Sequence, residues 1–273
     1  MDKNAFFLVR PYSLTGIVAI GLLAHLAANS KLAESFFFDV LLALSMWVAV
    51  NVFAEFIQND TVARKKDASL LVFSIVIFSV IGLLRNPYVL LSLPVLLLVG
   101  WVYSLKTKKT PISRFSFLLR GLVEVLVFSV IFLSQSSWDN LLRYVPYVAS
   151  IYLITCARNL VGDLRDMSVD KFTFPLIFGV DASKAITLGL VSFVVLLIGD
   201  LQVVFPLLVI LLALVLKSDY YELHKFFVLS TLAFLVNLSA FLIGETLLLT
   251  NLVYAGALLM YSYGLVPRRV VRR

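Results

Sequence analysis

The chain has 273 residues, of which 61% are hydrophobic and only 14% are charged. This composition excludes an ordinary soluble domain and indicates an integral membrane protein. The formal net charge is +7, yet the basic residues form no stripe on a polar segment, so nucleic acid is not an expected partner. A single cysteine excludes an internal disulfide and a multi-cysteine metal site, and two distant histidines disfavour a haem or a histidine-ligated metal.

Apolar runs long enough to span a bilayer follow one another along the whole chain. They predict an all-α fold, in which residues 1–273 form a single integral-membrane domain, a transmembrane bundle of nine to ten helices. The candidate spans are 12–29, 36–58, 68–84, 88–105, 114–134, 142–161, 183–199, 201–216, 225–242 and 246–266. The first lacks the cleavage site of a signal peptide. The seventh and eighth are short and separated only by Asp200, so they are either two helices or one broken element.

The basic residues predict how this bundle is oriented. With ten spans, all Lys and Arg residues but Lys31, Arg85 and Arg143 fall on one side of the membrane. Because cytoplasmic loops carry an excess of Lys and Arg, that side is predicted to be cytoplasmic, with both termini on it. The expected location is a multi-pass protein of the cell membrane. A nine-span count would place the C-terminal arginines outside, so the charges favour an even number of crossings.

Acidic residues gather where the sixth span ends, in the segment ARNLVGDLRDMSVDKFTFP at 157–175. Asp163, Asp166 and Asp170 have the spacing DxxDxxxD, which puts all three on one face of a continuous helix. Clustered hard oxygen ligands suit Mg²⁺, which retains waters and bridges to phosphate oxygens. The interleaved cations that could bind a diphosphate are Arg158, Arg165 and Lys171. The alternative interpretation is a solvated, charge-balanced helix end.

A second polar face closes the second span, in NVFAEFIQNDTVARKKD at 51–67. Asn51, Glu55 and Asn59 share one helical face, and Asp60 adds a carboxylate beside it. The basic residues that follow are Arg64, Lys65 and Lys66. The two polar patches end the second and sixth spans, four spans apart on the same side of the membrane. This repetition predicts two pseudo-repeated four-helix units around a central cavity, with a site between them.

Two further pairs carry polar groups in or near the bilayer. Arg120 and Glu124 stand one turn apart in the fifth span, where they form either a self-contained ion pair or part of a cavity lining. Tyr103 and Lys106 belong to YSLK, which closes the fourth span beside the predicted cytoplasmic surface. Taken alone, Lys106 is equally interpreted as an anchor whose charged end reaches the membrane surface.

Together these features resemble the UbiA superfamily of intramembrane prenyltransferases. The resemblance depends on the polar motifs that end the second and sixth spans, on YSLK, and on RNLVGDLRDMSVDKFTFPLIFG. It extends from Arg10 and Pro11 to Gly179. In that family the first motif has the form NDxxDxxxD, and the second leads from DxxDxxxD into a Thr-x-Pro turn, which Thr173 and Pro175 match.

The resemblance implies a prenyltransferase that takes a polyprenyl diphosphate and a hydrophobic acceptor, aromatic or lipid, from the membrane. Mg²⁺ held by the two motifs would bind the diphosphate, and ionisation would leave an allylic carbocation for the acceptor. By this resemblance the catalytic residues are Asp163, Asp166, Asp170, Asn51 and Glu55. The implied metal ligands are the same residues with Asn59 and Asp60, and the implied diphosphate contacts are Arg158, Arg165, Lys171, Arg64, Lys65, Lys66, Lys106 and Tyr103.

The first motif departs from the family pattern. Val52 stands at its second position, Glu55 replaces an aspartate, and Asn59 stands where another carboxylate is usual. Asp60, the next residue, is displaced from Asn59 by about 100° on a helix.

The second motif admits two alignments. The step from Asp170 to Thr173 is shorter than is usual in the family. An alignment without a gap would make Asp166 the last aspartate and would leave Asn159 and Gly162 at the earlier positions. Asp166 is retained in both.

Two other functions stand as alternatives. The weakened first motif favours a homologue that binds or transports an isoprenoid lipid without cleaving it. A secondary transporter would be expected to have broken helices and polar residues near the bilayer midplane, whereas the charges here gather at the ends of spans. No protein partner is inferred from the sequence.

Overall fold

The computed structural model describes residues 11–58, 65–104, 110–168, 172–217 and 219–262. Within these ranges the chain is all-α, as predicted. The α-helices are α1 (Pro11–Asn29), α2 (Phe36–Gln58), α3 (Lys65–Arg85), α4 (Ser92–Ser104), α5 (Ser116–Leu133), α6 (Trp138–Leu142), α7 (Val145–Arg165), α8 (Phe174–Phe178), α9 (Val180–Ile198), α10 (Leu201–Leu216), α11 (Tyr220–Leu242) and α12 (Leu248–Ser262). The 3₁₀ helices Pro87–Leu91 and Pro111–Phe115 precede α4 and α5.

In the described part of the chain, 6 helical segments are long and apolar enough to cross a membrane: Phe36–Ala54, Ala68–Arg85, Pro87–Ser104, Ser116–Leu133, Val180–Ile198 and Tyr220–Leu242. Helices α1, α10 and α12 supply shorter apolar segments. Helix α7 is in neither group because polar residues such as Arg158 and Asn159 reduce the hydropathy of its second half. These apolar helices satisfy their own backbone hydrogen bonds, as a bilayer requires, and the chain is an integral membrane protein.

Several helices begin and end where the hydrophobic pattern predicts, and the differences have local causes. Helices α2 and α10 have the predicted bounds. Helix α11 begins at Tyr220, earlier than predicted, because the side chain of Asp219 caps it by accepting from the Tyr221 N–H at 2.8 Å. Asp200 separates two helices: Gly199 closes α9 with a φ of 71°, and the Asp200 carboxylate caps α10.

The long helices form two groups. Helices α1, α2, α4 and α5 contact one another in a closed circuit, and α7, α9, α10 and α11 form a second circuit. Contacts between α5 and α7, and between α1 and α11, join the two groups. Helix α3 packs on the outside of α2, and α12 packs against α10 and α11. The two helices that carry the polar motifs, α2 and α7, therefore belong to different groups, and both pack against α5.

The apolar residues separate into a packed interior and a lipid-facing surface. Trp47, Phe128 and Phe234 are fully buried at 0% exposure. Leu84 and Leu196, by contrast, are 78% and 79% exposed on helices that span the membrane. Large exposed leucines are favourable where the surrounding medium is hydrocarbon, so the outer surface is consistent with a bilayer.

We call the end of the bundle where α2 and α7 finish the motif end, and the other end the opposite end. A buried polar network joins several helices at the opposite end. Asp39 is 1% exposed, and its Oδ2 accepts from His25 Nδ1 at 2.6 Å and from Gln135 Nε2 at 2.9 Å. Arg85 lies 3.3 Å from its Oδ1. His25 Nε2 accepts from the Ala33 N–H at 3.1 Å, which leaves Nδ1 as the donor to Asp39. The network joins α1, α2, α3 and the end of α5.

Candidate functional site

Helix α7 carries the acidic motif further than the predicted span. The helix ends at Arg165 instead of 161, so Asp163 lies in its last turn and Asp166 is the C-cap. The Asp166 N–H donates to the Gly162 carbonyl at 3.0 Å, and a turn follows. The shared helical face predicted for Asp163, Asp166 and Asp170 can be followed only as far as the turn at 166–168, because Asp170 lies outside the described residues. Asp163 is 6% exposed, which makes it a buried carboxylate near the motif end.

Arg165 holds the carboxylate of Asp166 in two-pronged fashion. Its Nε donates to Oδ1 at 2.7 Å and its Nη2 donates to Oδ2 at 2.5 Å. The third guanidinium nitrogen, Nη1, lies 3.0 Å from Nδ1 of His224 on α11. Arginine has donors only, so His224 is the acceptor of that bond. The arrangement places a cation, a carboxylate and an imidazole of two helices at the motif end.

On the other side of the bundle, Asn51 is brought to a buried position near the motif end of α2. It is 2% exposed, and its Nδ2 donates to the Trp47 carbonyl at 2.7 Å in the preceding turn. The amide donor is thus bound within the helix, which leaves the side-chain oxygen as the group that can act as an acceptor or ligand. Val52, at the next position, is 0% exposed and packs as an apolar residue.

A cation also lies between α2, α4 and α5. Arg120, 4% exposed, places its guanidinium carbon 4.0 Å from the ring centroid of Trp47 and 5.5 Å from that of Tyr103. Such stacking on two rings stabilises a positive charge away from water. Tyr103 was predicted as a diphosphate contact; the structure places it, buried, beside this arginine.

Glu124 joins α5 to α7. Its carboxylate pairs with Arg158 and accepts from Thr155 Oγ1 at 2.5 Å, and both residues belong to α7. One of the two sequence interpretations pairs Glu124 with Arg120 in the same helix. In the structure Glu124 instead binds Arg158 and Thr155. A Cβ added at Gly16 of α1 would lie 3.8 Å from Arg158 Nη1, so α1 also lies beside this pair.

Several predicted site residues lie outside what the structure describes. Those beyond the described ranges are Asn59, Asp60, Arg64, Lys106, Asp170 and Lys171. The backbone of Glu55, Lys65 and Lys66 is helical, while their side chains are outside the description. Of the predicted set, the structure thus brings together Arg165 with Asp166, places Asp163 in the turn before them, and places Asn51 and Tyr103 in the other group of helices.

Whether these residues fit Mg²⁺ follows from their chemistry. Among the described residues, no three His, Cys, Asp or Glu side chains come together as a metal cluster. The described oxygen donors are the carboxylates of Asp163 and Asp166 and the amide oxygen of Asn51. Mg²⁺ typically takes one or two carboxylates from a protein and completes its shell with water and phosphate oxygens. The donor set of α7 therefore fits an ion that arrives with a diphosphate, and it does not resemble an all-protein cage.

A separate open cleft of about 830 Å³ lies at the opposite end, where α9 meets α10 and α11 meets α12. Asp200, Gln202 and Glu245 are among the residues that line it. None of the predicted site residues contributes to it, so it is unrelated to the motif end.

Comparison with known proteins identifies the fold. No family model matches the sequence, and no curated protein matches it significantly. The apo structure of a UbiA homologue from Aeropyrum pernix K1 is similar, with a TM-score of 0.66 and 16% identity over 84% of this chain and 95% of that chain. A digeranylgeranylglyceryl phosphate synthase is also similar, with a TM-score of 0.64 and 17% identity over 88% of this chain and 98% of that chain.

These likenesses establish the protein first as a polytopic helical membrane protein. Its fold, more narrowly, is that of UbiA-type proteins. The resemblance predicted from the motifs at the ends of the second and sixth spans is thus confirmed at the level of the fold.

Sequence reasoning missed two features of the motif end. From the sequence alone, His224 is only one of two distant histidines that disfavour a histidine-ligated metal. The separation of 59 positions from Arg165 gives no local signal that the two residues meet. Arg158 was assigned to the diphosphate because it interleaves with the acidic motif, whereas its observed partner is Glu124. A buried glutamate in an apolar span requires a cationic partner, and that requirement was the available signal.

Proposed function

We propose that the chain is an intramembrane prenyltransferase that transfers an isoprenyl group from a polyprenyl diphosphate to an aromatic or lipid acceptor. The observation that supports this most directly is the end of α7, where the buried Asp163 lies in the last turn and Arg165 pairs with Asp166, in a chain with the UbiA-type fold. Carboxylates and an arginine at the end of a membrane helix suit a ligand with an anionic head and an apolar tail.

The proposed roles divide between the two motifs. Asp163 and Asp166 would hold Mg²⁺ and Asn51 would add its amide oxygen from the other group of helices, with Glu55, Asn59, Asp60 and Asp170 as further ligands. When bound, Mg²⁺ supplies neutralisation of the charge that develops on the departing diphosphate. Arg165 would bind the diphosphate oxygens beside Asp166, and the basic residues proposed to join it are Lys171, Arg64, Lys65, Lys66 and Lys106.

The structure modifies the proposed roles of two residues. Arg158 is paired with Glu124, so its contribution to the diphosphate would require that the pair open; its role in the observed geometry is to join α5 to α7. Tyr103 is buried against Arg120, so we assign it the role of stabilising that cation. The C–O bond of the prenyl diphosphate would break with its electron pair on the departing diphosphate. The acceptor would then supply the electrons of the new C–C or C–O bond and lose the proton of its C–H or O–H group to the diphosphate or to water. A dry, apolar surround would protect the allylic cation from water.

The proposed location is the cell membrane, with the motif end and both termini in the cytoplasm. This orientation is supported by the distribution of Lys and Arg, since Lys31, Arg85 and Arg143 alone fall on the other side. A soluble diphosphate leaving group would then be released to the cytoplasm.

One observation favours a second function, in which the chain binds or transports an isoprenoid lipid without cleaving it. Val52 is fully buried as an apolar residue in the first motif, and the donor group of Asn51 is bound to its own helix. With fewer charged ligands on α2, a second metal ion would bind more weakly and the prenyl diphosphate would ionise more slowly, while a lipid could still be bound.

The decisive experiment uses purified protein in lipid nanodiscs with Mg²⁺ and a labelled prenyl diphosphate. The acceptor panel contains aromatic acids, quinone precursors and glycerol-lipid phosphates. We expect transfer of label to one acceptor class, and Asp166→Asn should reduce it by about 100-fold or more. The matched control is Asp139→Asn, an exposed aspartate in α6 at the opposite end, which should retain full activity. Binding of the diphosphate without transfer to any acceptor would favour the lipid-binding alternative. Absence of both binding and transfer would contradict both functions.

A further inference from the structure

Helix α11 contributes a residue to the motif end that belongs to neither polar motif. His224 lies against α7: a Cβ added at Gly162 would sit 3.5 Å from its Cδ2 and Nε2 atoms. The ring is therefore packed on the last turn of the helix that carries Asp163 and Asp166. Its Nδ1 accepts from Arg165 at 3.0 Å. No feature of the sequence near His224 marks it as part of this site.

The geometry defines what His224 does to Arg165. Two guanidinium nitrogens are taken by Asp166, and the third is taken by His224, so the plane of the guanidinium is fixed from two helices. Asp166 alone could not do this, since it is the neighbouring residue and sits at a helix end. An arginine fixed in this way loses less conformational freedom when it binds an anion.

The same bonds are compatible with a metal on Asp166. Each carboxylate oxygen has two lone-pair sites, so Asp166 can accept from Arg165 and still offer an oxygen to a cation. The Arg165 side chain is 20% exposed and that of Asp166 is 28% exposed, so the pair is reachable by a ligand at the motif end.

We propose that His224 is a positioning residue: it holds the Arg165 guanidinium in the orientation that binds the diphosphate next to Asp166. This inference rests on the proposed function, since it presupposes a diphosphate at the motif end. His224 acts through Arg165 and does not itself contact the reacting atoms. The acceptor nitrogen is Nδ1, so an asparagine, whose side-chain oxygen lies near the position of Nδ1, can take its place, whereas an alanine cannot.

The test is a double-mutant cycle on Mg²⁺-dependent binding of inorganic pyrophosphate, measured by calorimetry on the purified full chain. His224→Ala should weaken binding roughly tenfold, and Arg165→Ala at least as much. In the Arg165→Ala background the histidine substitution should have no further effect, because its action passes through the arginine. His224→Asn should restore binding to within about threefold of the unmodified chain. Gly189→Ala on α9, where nothing lies within 4 Å of the added Cβ, is the matched control and should bind normally.

Turnover gives a second readout. His224→Ala should raise KM for the prenyl diphosphate with a smaller change in kcat, and a merely structural role would lower the melting temperature without this split. An equal effect of His224→Ala with and without Arg165, or failure of His224→Asn to restore binding, would overturn the inference while leaving the Asp166→Asn result intact. Absence of pyrophosphate binding by the unmodified chain would instead contradict the diphosphate site itself, and with it the role of His224.

Discussion

Helices α5 and α7 approach each other closely at Gly121, and its substitution should disrupt the contact between the two groups of helices. A Cβ at this position would lie 2.7 Å from Tyr152 Cδ2, 2.8 Å from Cys156 Sγ and 2.9 Å from the Tyr152 carbonyl oxygen. Two of these atoms belong to side chains, but the carbonyl is backbone, so it moves only if α7 moves. We therefore expect Gly121→Ala to cost about 3 kcal/mol, at the upper end of the usual cost of overpacking.

The consequence should extend beyond stability. Glu124, one turn further along α5, binds Thr155 and Arg158 on α7, and displacement of α7 would lengthen both contacts. The apparent melting temperature in detergent should fall by roughly 6–12 °C. Binding of pyrophosphate at the end of α7 should weaken with it. Substitution by serine, which is larger than alanine, should be worse.

The matched control is Gly189→Ala in α9. Nothing lies within 4 Å of a Cβ at that position, and the residue is exposed. Alanine there should stabilise the helix by about 0.5–1 kcal/mol, because glycine loses more conformational freedom on folding. If Gly121→Ala melts at the same temperature as Gly189→Ala, the close packing of α5 on α7 does not have the energetic role assigned to it.

Three further substitutions test other parts of the bundle. Asp39→Ala should destabilise the protein by about 3–5 kcal/mol, because the buried donors that bind Asp39 would lose their acceptor. Thermal unfolding should show this loss of stability, whereas Asp139→Ala should change the melting temperature little. Glu124→Gln should lower the melting temperature by several degrees because Arg158 loses its counter-charge, and a melting temperature equal to that of the unmodified chain would contradict the pairing. Asn51→Leu should lower prenyl transfer at least tenfold if its amide oxygen is a ligand, and unchanged kcat and KM would remove it from the site.

The sequence predicts the bounds of some helices because membrane helices obey a simple requirement, while the predicted count of nine to ten spans is not confirmed. A run of apolar residues long enough to cross the hydrocarbon has few alternatives to a helix, so the bounds of α2 agree with the prediction. The shorter α10 also has the predicted bounds, because Asp200 caps its start. Ends set by a side chain are predictable only when the cap is recognised. The Asp200 cap and the left-handed Gly199 decide between two helices and one broken element, and a count of apolar residues cannot make that decision.

The candidate site is less predictable, because its contacts join residues that are distant in the chain. Spacing predicts that Asp163 and Asp166 share the end of α7, and adjacency is consistent with the pair of Arg165 and Asp166. Neither indicates that His224 reaches the same place. The polarity of α7 also misled the prediction of its end, since the charged residues after 161 lie within the helix and at its cap instead of in a loop.

The position of Glu124 suggests why the two groups of helices are joined by charge as well as by apolar packing. Helix α5 is the element on which both motif helices pack, and α7 meets it through Gly121, Glu124 and the partners of that carboxylate. Apolar contact alone distinguishes poorly between neighbouring registers of two membrane helices, because the lipid is as apolar as the side chains. A buried carboxylate that must meet Arg158 allows one register only, since any other leaves two charges without partners in a medium of low dielectric constant. The same register sets the height at which Asp163 and Asp166 stand relative to Asn51. The ion pair in the interior therefore determines the geometry at the end of the bundle.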